Sequence, residues 1–110
     1  MSVVKEKLYQ LQQQMSERPE PIAEINALYR FSMKDTGEQV DIHIADSMVT
    51  VSEVEQSQQP VCTISLSQAD MLKLLNHELN TTIAYMMGQI KVEGKLGSAL
   101  KLLEALAAYK

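Results

Sequence analysis

NTTIAYMMGQIKVEGKLGSALKLLEALAAYK, residues 80–110, is the stretch that decides the fold. Thr81 to Met87 suits a short helix, and Gly88 ends it, because glycine takes the left-handed capping conformation at no steric cost. Gln89 to Glu93 then alternates, with Ile90 and Val92 toward one side and Lys91 and Glu93 toward the other, the period of a strand. Gly94-Lys95-Leu96-Gly97 turns the chain into a last helix, on which only Lys101, Glu104 and Lys110 are charged. Leu100, Leu103 and Ala107 form one apolar face of that helix. Ala99, Leu102, Leu106 and Tyr109 form a neighbouring one. A helix packed on a single side needs an apolar stripe only about 100° wide, and this arc is roughly twice that. Three things could cover the second face: a ligand in a cavity, a second copy of the chain, or the N-terminal helix.

Upstream, Val4, Leu8, Leu11 and Met15 recur at helical spacing, while Gln10, Gln12, Gln13 and Gln14 fall mostly off that stripe. The first helix therefore packs one stripe on the body and ends at Arg18-Pro19-Glu20-Pro21, where proline disfavours further helix. Ile25, Ala27, Tyr29, Phe31 and Met33 alternate as a first strand. Lys34 to Gly37 is a turn. Val40, Ile42 and Ile44 mark a second strand, and Asp46-Ser47 turns into a third, Met48 to Val54. The polar loop Glu55 to Pro60 leads to a fourth strand, Val61 to Leu66. Ser67 caps the next helix with Asp70 three residues on, and Leu66 with Met71 forms a hydrophobic staple. Met71, Leu72, Leu75 and Leu79 supply its buried face. The order is helix, four strands, two helices, strand, helix: an α+β layer with one five-stranded mixed sheet covered by helices.

With 110 residues the chain is read as one domain, 1–110, with room for one core and a modest pocket. No apolar run approaches the ~20 residues that span a bilayer. The N-terminus lacks a secretory signal, and a single cysteine, Cys62, forms no internal disulfide, so a cytoplasmic location is expected. A formal net charge of -4 argues against nucleic acid as a partner.

The run Ser67, Asp70, Leu74, Ala84, Gly88, Ile90, Lys91, Val92, Gly94, Gly97, Ala99, Lys101 and Leu102 resembles the sterol carrier protein two domain. The glycine-strand-glycine-helix part carries most of the likeness. The chain departs from the pattern at Tyr85-Met86, Gln89 and Lys95. The resemblance implies an apolar tunnel between sheet and helices, and non-enzymatic binding or transfer of a fatty acid, fatty acyl-CoA, phospholipid or sterol. The candidate wall residues are Phe31, Ile42, Ile44, Leu72, Leu75, Leu79, Ile83, Tyr85, Met86, Met87, Ile90, Leu100, Leu103 and Ala107. Methionine suits such a wall, being flexible and polarisable. Lys91 and Lys95 are candidates for an acidic head group. Transient membrane contact and a homodimer are compatible with this reading.

The residues offer no catalytic or metal site and no cofactor motif. His43 and His77 stand alone, without zinc-ligand spacing. Gly94 to Ser98 is not a P-loop. Cys62 reads as a small core residue, and Arg30 and Lys34 as solvated. An isomerase would need a buried acid or base, and Asp41, Asp46 and Glu53 fall on outward faces or turns. The alternative to a lipid carrier is an accessory module, for example in lipid or quinone metabolism, that grips a partner through its apolar last helix.

Overall fold

The computed structural model describes residues 2–109; Met1 and Lys110, the latter counted above among the charges of the last helix, lie outside the described residues. Helix α1 is Val3–Glu17, followed by a single 3-10 turn, Glu20–Ile22. Strands β1 (Ala27–Met33), β2 (Gln39–Ala45), β3 (Met48–Ser52) and β4 (Cys62–Leu66) follow, then helices α2 (Gln68–Leu75) and α3 (Thr81–Met86), strand β5 (Lys91–Gly94) and helix α4 (Leu96–Ala107). The strands form one five-stranded sheet in the order β3-β2-β1-β4-β5. It is mixed: β1 pairs antiparallel with β2 and parallel with β4, and β4 pairs antiparallel with β5. Element order and class agree with the sequence reading.

Local chemistry sets the boundaries. Ser2, Ser67 and Asn80 each accept a backbone N–H in the first turn of α1, α2 and α3, supplying a partner that the helix cannot. Gly88 has φ +79, and the amides of Gly88 and Gln89 return to the carbonyls of Tyr85 and Ala84, a Schellman stop for α3. Gly94 has φ +101, and a Cβ there would stand 2.5 Å from the Val61 carbonyl oxygen. Only glycine lets β5 approach β4 this closely before the chain turns into α4.

The core lies between the inner face of the sheet and the helices. Phe31, Ile42, Ile44, Ile64 and Leu66 from the strands meet Val4, Leu8 and Met15 of α1, Met71 of α2 and Leu102 of α4, all at most 2% exposed. Of the residues read as the inward face of α2, Met71 is buried but Leu72, Leu75 and Leu79 are only half-buried; Leu74 takes the inner position with Met71. The α4 face of Ala99, Leu102, Leu106 and Tyr109 is the core face. The Tyr29 hydroxyl donates to the Ser98 carbonyl (3.0 Å) and the Tyr109 hydroxyl to the Arg18 carbonyl (2.7 Å), tying α4 to the sheet at its start and to the end of α1 beyond its last turn.

The other face of the sheet corrects two readings. Arg30 is not solvated, and Asp41 does not point into water: Asp41 is fully buried and paired with Arg30, whose Nε donates to Oδ1 at 2.8 Å. The reason is the path of the chain. To pass from β3, at the sheet edge, to β4, beside β1, the segment 53–61 crosses the outer face. The Arg30 guanidinium also donates to the Glu55 and Gln58 carbonyls of this crossing. The crossing segment thus removes the Asp41 carboxylate from water, and the guanidinium supplies the compensation that a buried charge requires.

Candidate functional site

Among the described residues, neighbouring grooves open between the helices, three of which bear on the site. The smallest and least polar, about 200 Å³, lies between α2, α3 and α4 and is lined by Leu74, His77, Leu79, Thr81, Leu103 and Ala107. The largest, about 470 Å³, runs between α1 and the end of α2, with Leu11, Leu75 and Tyr109 among side chains that are mostly polar. A third of about 210 Å³ continues past Gln14, Glu17, Arg18 and Tyr109. His77 belongs to the walls of both the first and the second.

Each wall follows from the elements that carry it. Leu103 and Ala107 are four residues apart and so stand on one face of α4. Leu74 is the inner residue of the last turn of α2. The chain then leaves α2 through His77, which takes φ +61, with the His77 amide bound to Leu74 and the Glu78 amide to Lys73. This is a second Schellman stop, with histidine where glycine is usual. The turn throws Leu79 and Thr81 across to α4 and closes the groove. On the far side, Lys7, Gln10, Gln14 and Glu17 recur every three or four residues along one flank of α1. Lys7 Nζ donates to Asn76 Oδ1 at 3.0 Å and bridges the groove. Arg18 stacks on Tyr109, 5.2 Å from the ring centroid, and its guanidinium donates to the Ala108 carbonyl. Burial raises the Tyr109 phenol above its ordinary value, and the Arg18 charge partly offsets this.

The candidate wall residues divide into three groups. Leu79, Leu103 and Ala107 meet in the small groove, and Leu75 lines the large one. Phe31, Ile42, Ile44 and Ile90 lie in the packed core, and Leu72 is half-buried against it. Ile83, Tyr85, Met86, Met87 and Leu100 are exposed, Met86 the most so at 79%. The methionine pair that the sequence suggests as a wall therefore faces outward, because α3 is a helix of 6 residues with Ala84 as its one buried side chain. Lys91 and Lys95 are exposed on β5 and at the start of α4 and line none of these grooves. The polar groove was missed in the sequence, although the spacing of Lys7, Gln10, Gln14 and Glu17 marks its flank.

Comparison with known proteins bears on the family and the fold. The profile of the SCP-2 sterol transfer family matches residues 8–107. Sterol carrier protein 2 of Gallus gallus is 28% identical over 87 residues, which are 74% of this chain but 15% of that protein. This chain therefore spans a small part of the curated relative. Among solved structures, the UbiJ-SCP2 ubiquinone synthesis protein superposes with a TM-score of 0.79 over 98% of this chain and 96% of its own, at 14% identity. Palmitated SCP2L2 from Aedes aegypti gives 0.73 over 96% and 95%, at 21% identity. These likenesses establish the fold, a mixed five-stranded α+β layer.

Proposed function

The chain belongs to the SCP-2 sterol transfer family, and from that premise we propose that it binds and hands on an apolar lipid without altering it chemically. One observation carries the reading: Leu103 and Ala107, on the second apolar face of α4, line a groove together with Leu74 and Leu79, and Ala107 is exposed there. The palmitated relative is a protein of this fold seen with an acyl chain. A lipid tail would extend the line of buried carbon between the helices and the sheet.

The groove of about 200 Å³ is smaller than the ~300–1,000 Å³ usual for ligand sites, so a long chain enters by displacing a wall. Helix α3 is the wall that yields: it has a single buried side chain, Ala84. Each buried methylene contributes about 0.8 kcal/mol before ordering costs, so a chain of a dozen carbons offsets the loss of that contact. Catalysis has little to draw on. Asp41, the buried acid, lies on the opposite face of the sheet and is held by Arg30.

The test is lipid capture. Mass spectrometry of lipid extracted from the purified protein, and titration with a fluorescent fatty acid, should both show binding. Ala107→Trp, placed at an exposed position of the groove wall, should weaken that binding about tenfold or more, roughly the effect of filling a methylene-sized subsite or larger, while the fold is kept. A wild-type protein that captures no lipid in either experiment would overturn the reading.

The exposed Ile83, Met86, Met87, Leu96 and Leu100 favour a second reading, a partner surface on α3 and the start of α4. It is narrower than the sequence suggests, since Leu102, Leu103 and Leu106 turn inward. Under this reading sedimentation shows a homodimer, and Leu100→Glu dissociates it while fatty-acid binding persists. A wild-type monomer at all concentrations removes the homodimer.

A further inference from the structure

We propose that the polar groove between α1 and α2 receives the head group of the bound amphiphile, and that this head is an uncharged, glycerol-type polyol. The inference rests on the lipid-carrying reading above and adds the chemical class of the ligand. His77 stands in the walls of both grooves, so the apolar space at Leu79, Leu103 and Ala107 adjoins the larger polar one at that side chain. A molecule whose tail enters the first has its head at the second.

The polar groove has the chemistry of a neutral receptor. Its ammonium, Lys7, is already bound to Asn76 Oδ1 and is matched in formal charge by Glu17. Arg18, in the adjoining groove, is committed to the Ala108 carbonyl and the Tyr109 ring. The groups left to meet a ligand include the carboxamides of Gln10, Gln13 and Gln14, all exposed along the rim, and the imidazole of His77. A carboxamide offers donors and an acceptor together, which is also what a hydroxyl requires. A phosphate or carboxylate presents acceptors alone and gains most from an unengaged cation. At about 470 Å³ the groove also holds a head of several heavy atoms. Lys91 and Lys95, the candidates for an acidic head, line neither groove.

Three single-chain lipids with one acyl chain in common separate the possibilities: monooleoylglycerol, oleate and oleoyl-lysophosphatidate, each displacing a fluorescent fatty acid. The monoglyceride should bind roughly tenfold more tightly than the lysophosphatidate, the effect of one or two net hydrogen bonds. The double variant Gln10→Lys/Gln14→Lys should reverse that order. Both positions are exposed, and lysine is about as helix-favouring as glutamine, so α1 survives the change. Gln58→Lys/Gln59→Lys, in the segment that crosses the outer face of the sheet, adds the same charge and should keep the wild-type order. Equal affinity for all three lipids, or an equal shift in both double variants, overturns the head-group assignment and leaves lipid carriage standing. Binding of none of the three overturns lipid carriage itself.

Discussion

Arg30 shows how one side chain can hold a whole crossing segment. Its Nε and one terminal nitrogen reach the two oxygens of Asp41 at 2.8 and 3.1 Å, and the same terminal nitrogen reaches the Glu55 and Gln58 carbonyls at 3.3 and 3.2 Å. Arg30→Met would strand a buried carboxylate and should cost about 3–5 kcal/mol in a urea titration. Arg30→Met/Asp41→Leu should recover much of that, because a packed apolar pair can rival a buried ion pair. A double variant as unstable as the single one would place the cost in the loop carbonyls instead. Cys62 and Tyr29 give a second expectation, in alkali. Burial raises the Cys62 thiol above its ordinary 9.0 and is the main cause raising the Tyr29 phenol above 10.0. Below those values both states hold the protons, and stability is unaffected. As pH rises past them, the unfolded chain releases protons that the folded one keeps, so stability falls. The urea midpoint should therefore decline above about pH 9. Cys62→Ala should make that decline shallower, at the cost of a lower midpoint at neutral pH.

At the scale of elements, turn chemistry sets the strain. Asp46 and Ser47 join β2 to β3 with φ +53 and +63, the pair of positive angles of a two-residue hairpin turn, and neither is glycine. A left-handed residue with a side chain costs roughly 1 kcal/mol, so Ser47→Gly should raise stability by up to about that amount, or a few degrees in Tm. An unchanged melting curve would mean that the turn is already relaxed. The elements were legible in the sequence because their signals are local: Ser67 and Asn80 cap, Gly88 stops, and Ile90 and Val92 alternate with Lys91 and Glu93. The Arg30–Asp41 pair was not legible, because its burial depends on a crossing made more than ten residues away. The same limit applies to Leu72, Leu75, Met86 and Met87. Periodicity shows that a helix has an apolar side, but not which leucine of α2 faces inward or how far a helix as short as α3 sits from the sheet. Of the candidate site, the α4 wall at Leu103 and Ala107 was readable from spacing. The polar groove beyond His77 was not, since it arises where α1 meets the end of α2.

At the scale of the whole molecule, the strand residues expected to line a tunnel lie in the buried core. Phe31, Ile42, Ile44 and Ile90 are at most 2% exposed in one continuous core, and the grooves lie at its margin. A tail of any length must therefore exchange helix contacts for its own, and the exchange is cheapest where the helix has least to lose. Helix α4 buries Ala99, Leu102, Leu103, Ala105 and Leu106, whereas α3 buries Ala84 alone. Opening free energies follow buried apolar contact, so the amides of Thr81–Met86 should exchange with deuterium well before those in the centre of α4. A bound fatty acid should then slow exchange in α3 and in the last turn of α2 while leaving β1 and β2 unchanged. Protection confined to α1 would place the ligand in the polar groove alone, and the view of α3 as the yielding wall would fail. Protection spread evenly over the sheet would mean that the tail stabilises the whole fold without a local opening. The pattern described, fast α3 in the free protein and slowed α3 in the complex, is the one that a filled core and a weakly anchored helix require.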